Sequence, residues 1–105
     1  MDSFWKLPRY PFTLAAIEYA REHSGVYALF DGDEAVYIGR ALESDGGIRA
    51  VLLMHLRNTS HGTNYTWEIS RSPEVREAEL LAEFREKHAR LPRWHKSRWR
   101  TMCIM

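Results

Sequence analysis

Two tyrosines, each in a triplet with a glycine, lie in neighbouring β-rich segments of the chain. Tyr27 ends the triplet Gly-Val-Tyr and Tyr37 begins the triplet Tyr-Ile-Gly, and Arg40 follows directly. A phenol can donate or accept a hydrogen bond, and a guanidinium is a permanent cation with several N–H donors. These residue types could serve one shared site, provided that the fold brings them together.

The register of the predicted hairpin decides whether the two tyrosines can act together. We predict strands over 26–30 and 35–38, with one core-facing set of side chains: Val26, Ala28, Phe30, Val36 and Ile38. That set requires odd-numbered residues to pair with odd-numbered residues across a loop with an odd number of residues, Gly32-Asp33-Glu34. Tyr27 and Tyr37 would then project from one face, whereas a two-residue turn would separate them. The alternative is that both are ordinary strand tyrosines.

A glutamate on the last predicted helix lies out of phase with the other acids of that helix. Glu79, Glu83 and Glu86 form a solvated face, whereas Glu77 lies along the apolar stripe of Leu80, Leu81, Phe84 and His88. A carboxylate beside a core needs a cation, a donor or a metal. Glu77 is therefore either a boundary residue paired with Arg76 or Arg40, or a single carboxylate ligand of Mg²⁺.

The elements that position these residues follow the order α-β-β-α-β-α. We predict helices over 13–23, 48–57 and 72–88, and a third strand over 64–70. The expected fold class is α/β or α+β, with a small three-stranded antiparallel sheet flanked by helices. We divide the chain into a lead-in with a helix (1–23), the main domain (24–95) and a basic tail (96–105).

Charge is distributed unevenly along the chain. Residues 1–89 carry a net charge of −4, whereas 90–100 carry five Lys or Arg, no acid and the indoles of Trp94 and Trp99. Interleaved cations and aromatics favour a nucleic-acid partner, although a solvated helix with docked tryptophans is the alternative. The candidate nucleic-acid contacts are Arg49, Arg90, Arg93, Trp94, Lys96 and Arg98. No signal peptide or membrane span is predicted, so we expect a cytoplasmic protein without a membrane partner.

Taken in order, these features resemble the GIY-YIG nuclease superfamily over roughly residues 24–95. The resemblance is carried by the two triplets, the basic residue after them, a helix with a His-Leu end and the helix REAELLAEF. It implies metal-dependent hydrolysis of phosphodiester bonds in DNA, with Mg²⁺ or Mn²⁺ on Glu77. It also implies that Tyr27 takes or relays the proton of the attacking water and that Tyr37 orients the centre. Arg40 would hold phosphate, and His55 would position the nucleophile or Tyr27.

Two positions depart from the pattern of the family. Val51 stands where the family has an arginine one helical turn before His55. The nearest arginine, Arg49, is six residues before His55 and therefore lies about 120° away from it around the helix. His95 stands where the family has an asparagine. A catalytically weakened relative that binds or regulates DNA is therefore the alternative function. A third is an RNA-binding or protein-interaction domain with a stacking platform formed by Tyr27, Tyr37, Trp94 and Trp99.

Overall fold

A computed structural model describes residues 3–58 and 62–94 of the chain, which form an α+β fold. The strands are β1 (Tyr10–Pro11), β2 (Gly25–Asp31), β3 (Glu34–Ala41) and β4 (Asn64–Ile69). The helices are α1 (Leu14–Ile17), α2 (Gly47–Asn58) and α3 (Pro73–His88), with short 3₁₀ turns at Phe4–Lys6 and Glu43–Asp45. Among these described elements, no helix is both long and apolar enough to cross a bilayer.

The sheet is antiparallel throughout, in the order β1-β4-β2-β3. The predicted α+β class and the three main strands are confirmed, but the sheet has a fourth strand. This strand, β1, has only two exposed residues, and Tyr10 pairs with Tyr65 across the chain. The sequence pattern missed it because two residues, one of them a proline, carry no alternation, and the pairing depends on a distant partner.

The first helix is much shorter than the predicted span of 13–23. It covers Leu14–Ile17, and the side chain of Thr13 caps it by accepting a backbone N–H of the first turn at 3.3 Å. Beyond it, the carbonyls of Arg21 and His23 accept backbone N–H groups from the start of α2 at 3.0 and 3.1 Å. The segment leaves the helical path because its carbonyls satisfy the first N–H groups of another helix.

The β2–β3 hairpin places odd-numbered residues opposite odd-numbered residues, as predicted, but by another route. The predicted three-residue loop is wrong, because Asp31 pairs with Glu34 and only two residues form the turn. A bulge then shifts the register, so that Leu29 pairs with Tyr37 while the next pair is Phe30 with Ala35. The extra residue restores the odd register that a two-residue turn alone would have lost.

Both faces of the sheet are covered. One core, packed against α1 and α2, contains Tyr27 and Tyr37, and the other, packed against α3 and the first 3₁₀ turn, contains Phe30 and Ile38. Val36 was expected beside Ile38 but packs in the core of the tyrosines, because it is the residue inserted at the bulge. The predicted lead-in contributes to both cores: Phe12 and Ile17 belong to the first and Phe4 to the second.

The last helix begins as predicted. Ser72 is the N-cap residue, although its side chain makes no capping hydrogen bond, and Pro73 takes the first helical position. Leu80 and Phe84 are buried against the sheet. Arg76 reaches back to Glu68 on β4, with Nε 2.7 Å from Oε1, which fixes the first turns of α3 to the sheet. The helix therefore carries Glu77 to a defined position at the margin of the second core.

Candidate active site

The two tyrosines stack against each other over a glycine. Tyr27 lies directly opposite Gly39 in the hairpin, and its ring centroid is 5.9 Å from that of Tyr37, with the planes 25° apart. A Cβ atom on Gly39 would lie 2.6 Å from Oη of Tyr27 and 2.8 Å from the ring of Tyr37. Since carbon atoms do not approach so closely, the glycine is what lets both rings occupy this face. The phenols are 3% and 5% exposed, which leaves no open stacking platform at this position.

A buried histidine contributes the next group. His55 extends from the last part of α2, and its Nε2 lies 2.7 Å from Oη of Tyr27. The imidazole also packs against Tyr37, with ring centroids 4.8 Å apart. Burial lowers the pKa of His55 from 6.5 to about 4, because the positive form loses its hydration. The ring is therefore neutral at pH 7. Its tautomer decides whether it donates or accepts the hydrogen bond with Tyr27.

The surroundings of Tyr27 keep it protonated. Its pKa is raised well above 10 chiefly by burial, then by the charge of Tyr37 and a hydrogen bond with it, and last by the negative charge of Glu77. All of these disfavour a phenolate. At neutral pH Tyr27 therefore carries an intact hydroxyl group, which can hold an oxygen in place by a hydrogen bond or exchange one proton for another.

Glu77 and Arg40 form an ion pair at the edge of the sheet. Nη1 of Arg40 donates to Oε1 of Glu77 at 2.8 Å. The side chain of Glu77 is only 17% exposed, whereas that of Arg40 is 49% exposed. Of the two cations considered from the sequence as partners of Glu77, Arg40 is the one it meets, and Arg76 instead binds Glu68 and Glu79.

These groups line one cleft of about 520 Å³ beside the edge strand β3. Four predicted site residues reach it from three elements: Tyr27 from β2, Tyr37 and Arg40 from β3, and Glu77 from α3. His55 stands behind Tyr27 as its hydrogen-bond partner. Side chains separated by as many as 50 positions in the chain thus meet at one point, as the sequence hypothesis requires.

Three further lining residues bear on the chemistry. Val51, the departure noted in the sequence, does line the cleft and presents an apolar side chain there. Met54 lies beside it on the same face of α2, three residues on. Asp45, from the 3₁₀ turn before α2, is an exposed carboxylate at the cleft that the sequence hypothesis did not include. An acidic residue in a short loop carries no periodic signal, so only its position marks it.

The chemistry of the donor set fits a hard divalent cation. Glu77 offers a carboxylate oxygen and Asp45 a second one at the same cleft. Mg²⁺ favours such oxygen ligands and keeps several of its waters, so it needs few protein groups. Within residues 3–58 and 62–94, no three His, Cys, Asp or Glu side chains are grouped as in a multidentate metal centre. Any metal here would depend on one or two carboxylates, water and a substrate phosphate.

The remaining predicted contacts lie elsewhere. Arg49 is not among the residues that line the cleft; it pairs with Glu22 at 3.2 Å, and its buried Nε has no hydrogen-bond partner among the described residues. Trp94 is partly buried against the core of the tyrosines. His95, Lys96, Arg98 and Trp99 lie outside the described residues.

The basic segment, residues 90–100, has two arginines within the part of the chain that the structure describes, and both bind acids at the turn of the β2–β3 hairpin. Arg90 pairs with Glu34 at 3.1 Å, and Arg93 pairs with Asp31 at 3.2 Å and with Glu34 at 2.9 Å. Each guanidinium is about half exposed and therefore still reachable by a phosphate. Their predicted role in nucleic-acid binding would require competition with these carboxylates.

No protein-family model matches the chain, and neither a curated protein nor a solved structure matches it. What the cleft can do is therefore inferred from its own side chains.

Proposed function

We propose that this protein hydrolyses phosphodiester bonds in DNA with the help of Mg²⁺ or Mn²⁺, as a small nuclease of the GIY-YIG type acting in the cytoplasm. One observation carries the proposal: four side chains converge on one cleft, namely Tyr27, Tyr37, Arg40 and Glu77. His55 is hydrogen-bonded to Tyr27 behind them. Proton-relay groups, a phosphate-binding cation and a carboxylate are the parts that such a hydrolysis needs.

In the proposed reaction a water oxygen attacks phosphorus and the bond from phosphorus to one ester oxygen breaks. Oη of Tyr27 accepts the proton of the attacking water as its own proton passes to Nε2 of His55. His55 is neutral at neutral pH, and in the tautomer that carries its proton on Nδ1 its Nε2 is the atom that accepts. Tyr37, which stacks on Tyr27 and makes a tilted contact with His55, would keep the two groups packed together.

Arg40 neutralises charge on the phosphate in this scheme. Its guanidinium is half exposed at the mouth of the cleft, where it can donate two hydrogen bonds to phosphate oxygens. Glu77 would hold the divalent cation, and Asp45 lines the same cleft. When bound there, such a cation supplies Lewis-acid stabilisation of the charge on the phosphoryl and leaving oxygens.

A second candidate function is DNA binding without turnover. It is favoured by Val51, which lines the cleft with an apolar side chain where the resemblance implies an arginine. Removing a transition-state arginine typically costs a factor of about 10³ to 10⁵ in rate. In this alternative the cleft and the basic segment bind DNA, and Arg40 and Glu77 remain paired.

Relaxation of supercoiled plasmid with Mg²⁺ or Mn²⁺ distinguishes the two candidates. We expect metal-dependent nicking that Glu77→Gln abolishes and that Tyr27→Phe lowers by about 10² or more, the usual contribution of a positioned proton-transfer group. Glu86→Gln removes an exposed carboxylate from the same helix and serves as the matched control with unchanged nicking.

Nicking that survives Glu77→Gln would overturn the proposal, because the activity would then not need the carboxylate in the cleft. Salt-sensitive DNA binding without nicking in either metal would favour the binding function instead.

A further inference from the structure

We propose that Arg40 is the resident counter-ion of the metal-binding carboxylate, so that the cleft loads its cation and its substrate phosphate cooperatively. When a divalent cation binds Glu77, Arg40 is released to the phosphate, and when a phosphate draws Arg40 away, Glu77 is freed for the cation. This inference rests on the proposed function and adds to it an order of events at the same site.

The inference rests on the ion pair between Arg40 and Glu77 and on the different exposure of the two side chains. Oε1 of Glu77 accepts a hydrogen bond from Nη1 of Arg40 at 2.8 Å. Glu77 is 17% exposed and is held on a helix whose first turns are tied to β4, so it has little room to move away. Arg40 is 49% exposed on the edge strand, so its long side chain can swing toward solvent or substrate.

Electrostatics makes the two cations mutually exclusive at this oxygen. A guanidinium and a divalent cation on one carboxylate would repel each other at a few ångströms, in a cleft whose walls are partly apolar. A buried carboxylate also requires a compensating charge, since without one it loses its hydration at a cost in free energy. Arg40 provides that charge when no metal is bound, and the metal provides it when Arg40 has turned to the phosphate.

The exchange also sets the charge that the cleft presents to its ligands. With Arg40 and Glu77 paired, their charges cancel, and neither a free cation nor a free anion site is offered. Either ligand therefore has to break the ion pair alone, whereas the two together exchange one pair for two favourable contacts. Linkage requires the coupling to be reciprocal, so phosphate must tighten metal binding by the factor by which metal tightens phosphate binding.

The test measures Mn²⁺ binding directly, from the electron paramagnetic resonance of free Mn²⁺, with dimethyl phosphate as a phosphodiester probe. We expect Arg40→Gln to bind Mn²⁺ about fivefold to tenfold more tightly than the wild-type protein when no phosphate is present. Dimethyl phosphate should tighten Mn²⁺ binding to the wild-type protein by a larger factor than it tightens binding to Arg40→Gln, because only the wild type has an ion pair to release. Arg85→Gln removes the same charge from α3, about 12 Å along the helix from Glu77, and should match the wild type.

Glu77→Gln separates failure of this inference from failure of the proposed function. If Glu77→Gln loses Mn²⁺ binding while Arg40→Gln binds no more tightly than the wild type, the counter-ion role is overturned and the metal site stands. If Arg40→Gln binds no Mn²⁺, the counter-ion role is likewise overturned. If Glu77→Gln binds Mn²⁺ as well as the wild type, Glu77 is not the metal ligand and both proposals fail. Far-UV circular dichroism of each variant verifies that the fold is retained.

Discussion

Acidification should destabilise this protein through His55, well before its carboxylates are fully protonated. The pKa of His55 is lowered from 6.5 to about 4 by burial, so the folded protein keeps the ring neutral where the unfolded chain takes up a proton. The unfolded state therefore binds more protons between these two values, and stability rises with pH across that interval. The contribution is fully present above pH 6.5 and is lost as the pH falls toward 4.

The size of the effect follows from the shift. A difference of about 2.5 pKa units corresponds to about 3 kcal/mol at about 1.4 kcal/mol per unit. Between about pH 7.5 and pH 5 the loss should reach about 2 kcal/mol, since by then the unfolded histidine is almost fully protonated and the folded one is not. Small domains have a total stability of about 5–15 kcal/mol, so the change is large enough to measure.

Urea denaturation followed by tryptophan fluorescence, repeated over this pH range, measures the effect. His55→Gln should flatten the part of the pH dependence that belongs to the buried imidazole. His23→Gln is the matched control, because it removes an imidazole whose side chain is 54% exposed and which pairs with Glu43 at the surface. The difference between wild type and His55→Gln cancels the titration of carboxylates that both proteins share.

A wild-type stability that falls no more steeply than that of His55→Gln would refute the reasoning. It would mean that the imidazole is hydrated in the folded state and that the 2.7 Å contact with Tyr27 is not enclosed as described. The proton relay proposed for catalysis would be weakened by the same result, because a hydrated imidazole is partly protonated near neutral pH and that fraction accepts no proton.

Two further predictions concern the walls of the cleft. Gly39→Ala should displace the ring of Tyr27, and the free energy of unfolding measured by urea denaturation should fall by about 1–3 kcal/mol. Plasmid nicking should fall in parallel, and nicking at the wild-type rate would contradict the packing described. Val51→Arg should raise the nicking rate about tenfold or more, because it adds a guanidinium at the cleft. A rate no higher than that of the wild type would show that the absence of this arginine is not what limits the site.

The sequence by itself determined the elements whose patterns are local. Helices α2 and α3 and strands β2, β3 and β4 lie within a few residues of their predicted positions. Helical phase also identified Glu77 as the acid apart from the solvated face, and its side chain is only 17% exposed. These predictions succeed because their signals are local. Turn residues, a proline at the first helical position, and hydrophobic repeats of 3.6 residues in helices and 2 in strands each involve only a few neighbouring positions.

Only the tertiary structure decided how those elements fit together. The bulge after Leu29 sends Val36 to the face of the tyrosines, and the early end of α1 follows from carbonyls that serve α2. Arg40, rather than the neighbouring Arg76, became the partner of Glu77 because Arg76 is occupied by Glu68. The bulge depends on how two strands pair, and the other two outcomes depend on a group distant in the chain that takes the same hydrogen bond or charge. The local sequence does not specify which groups become neighbours in space.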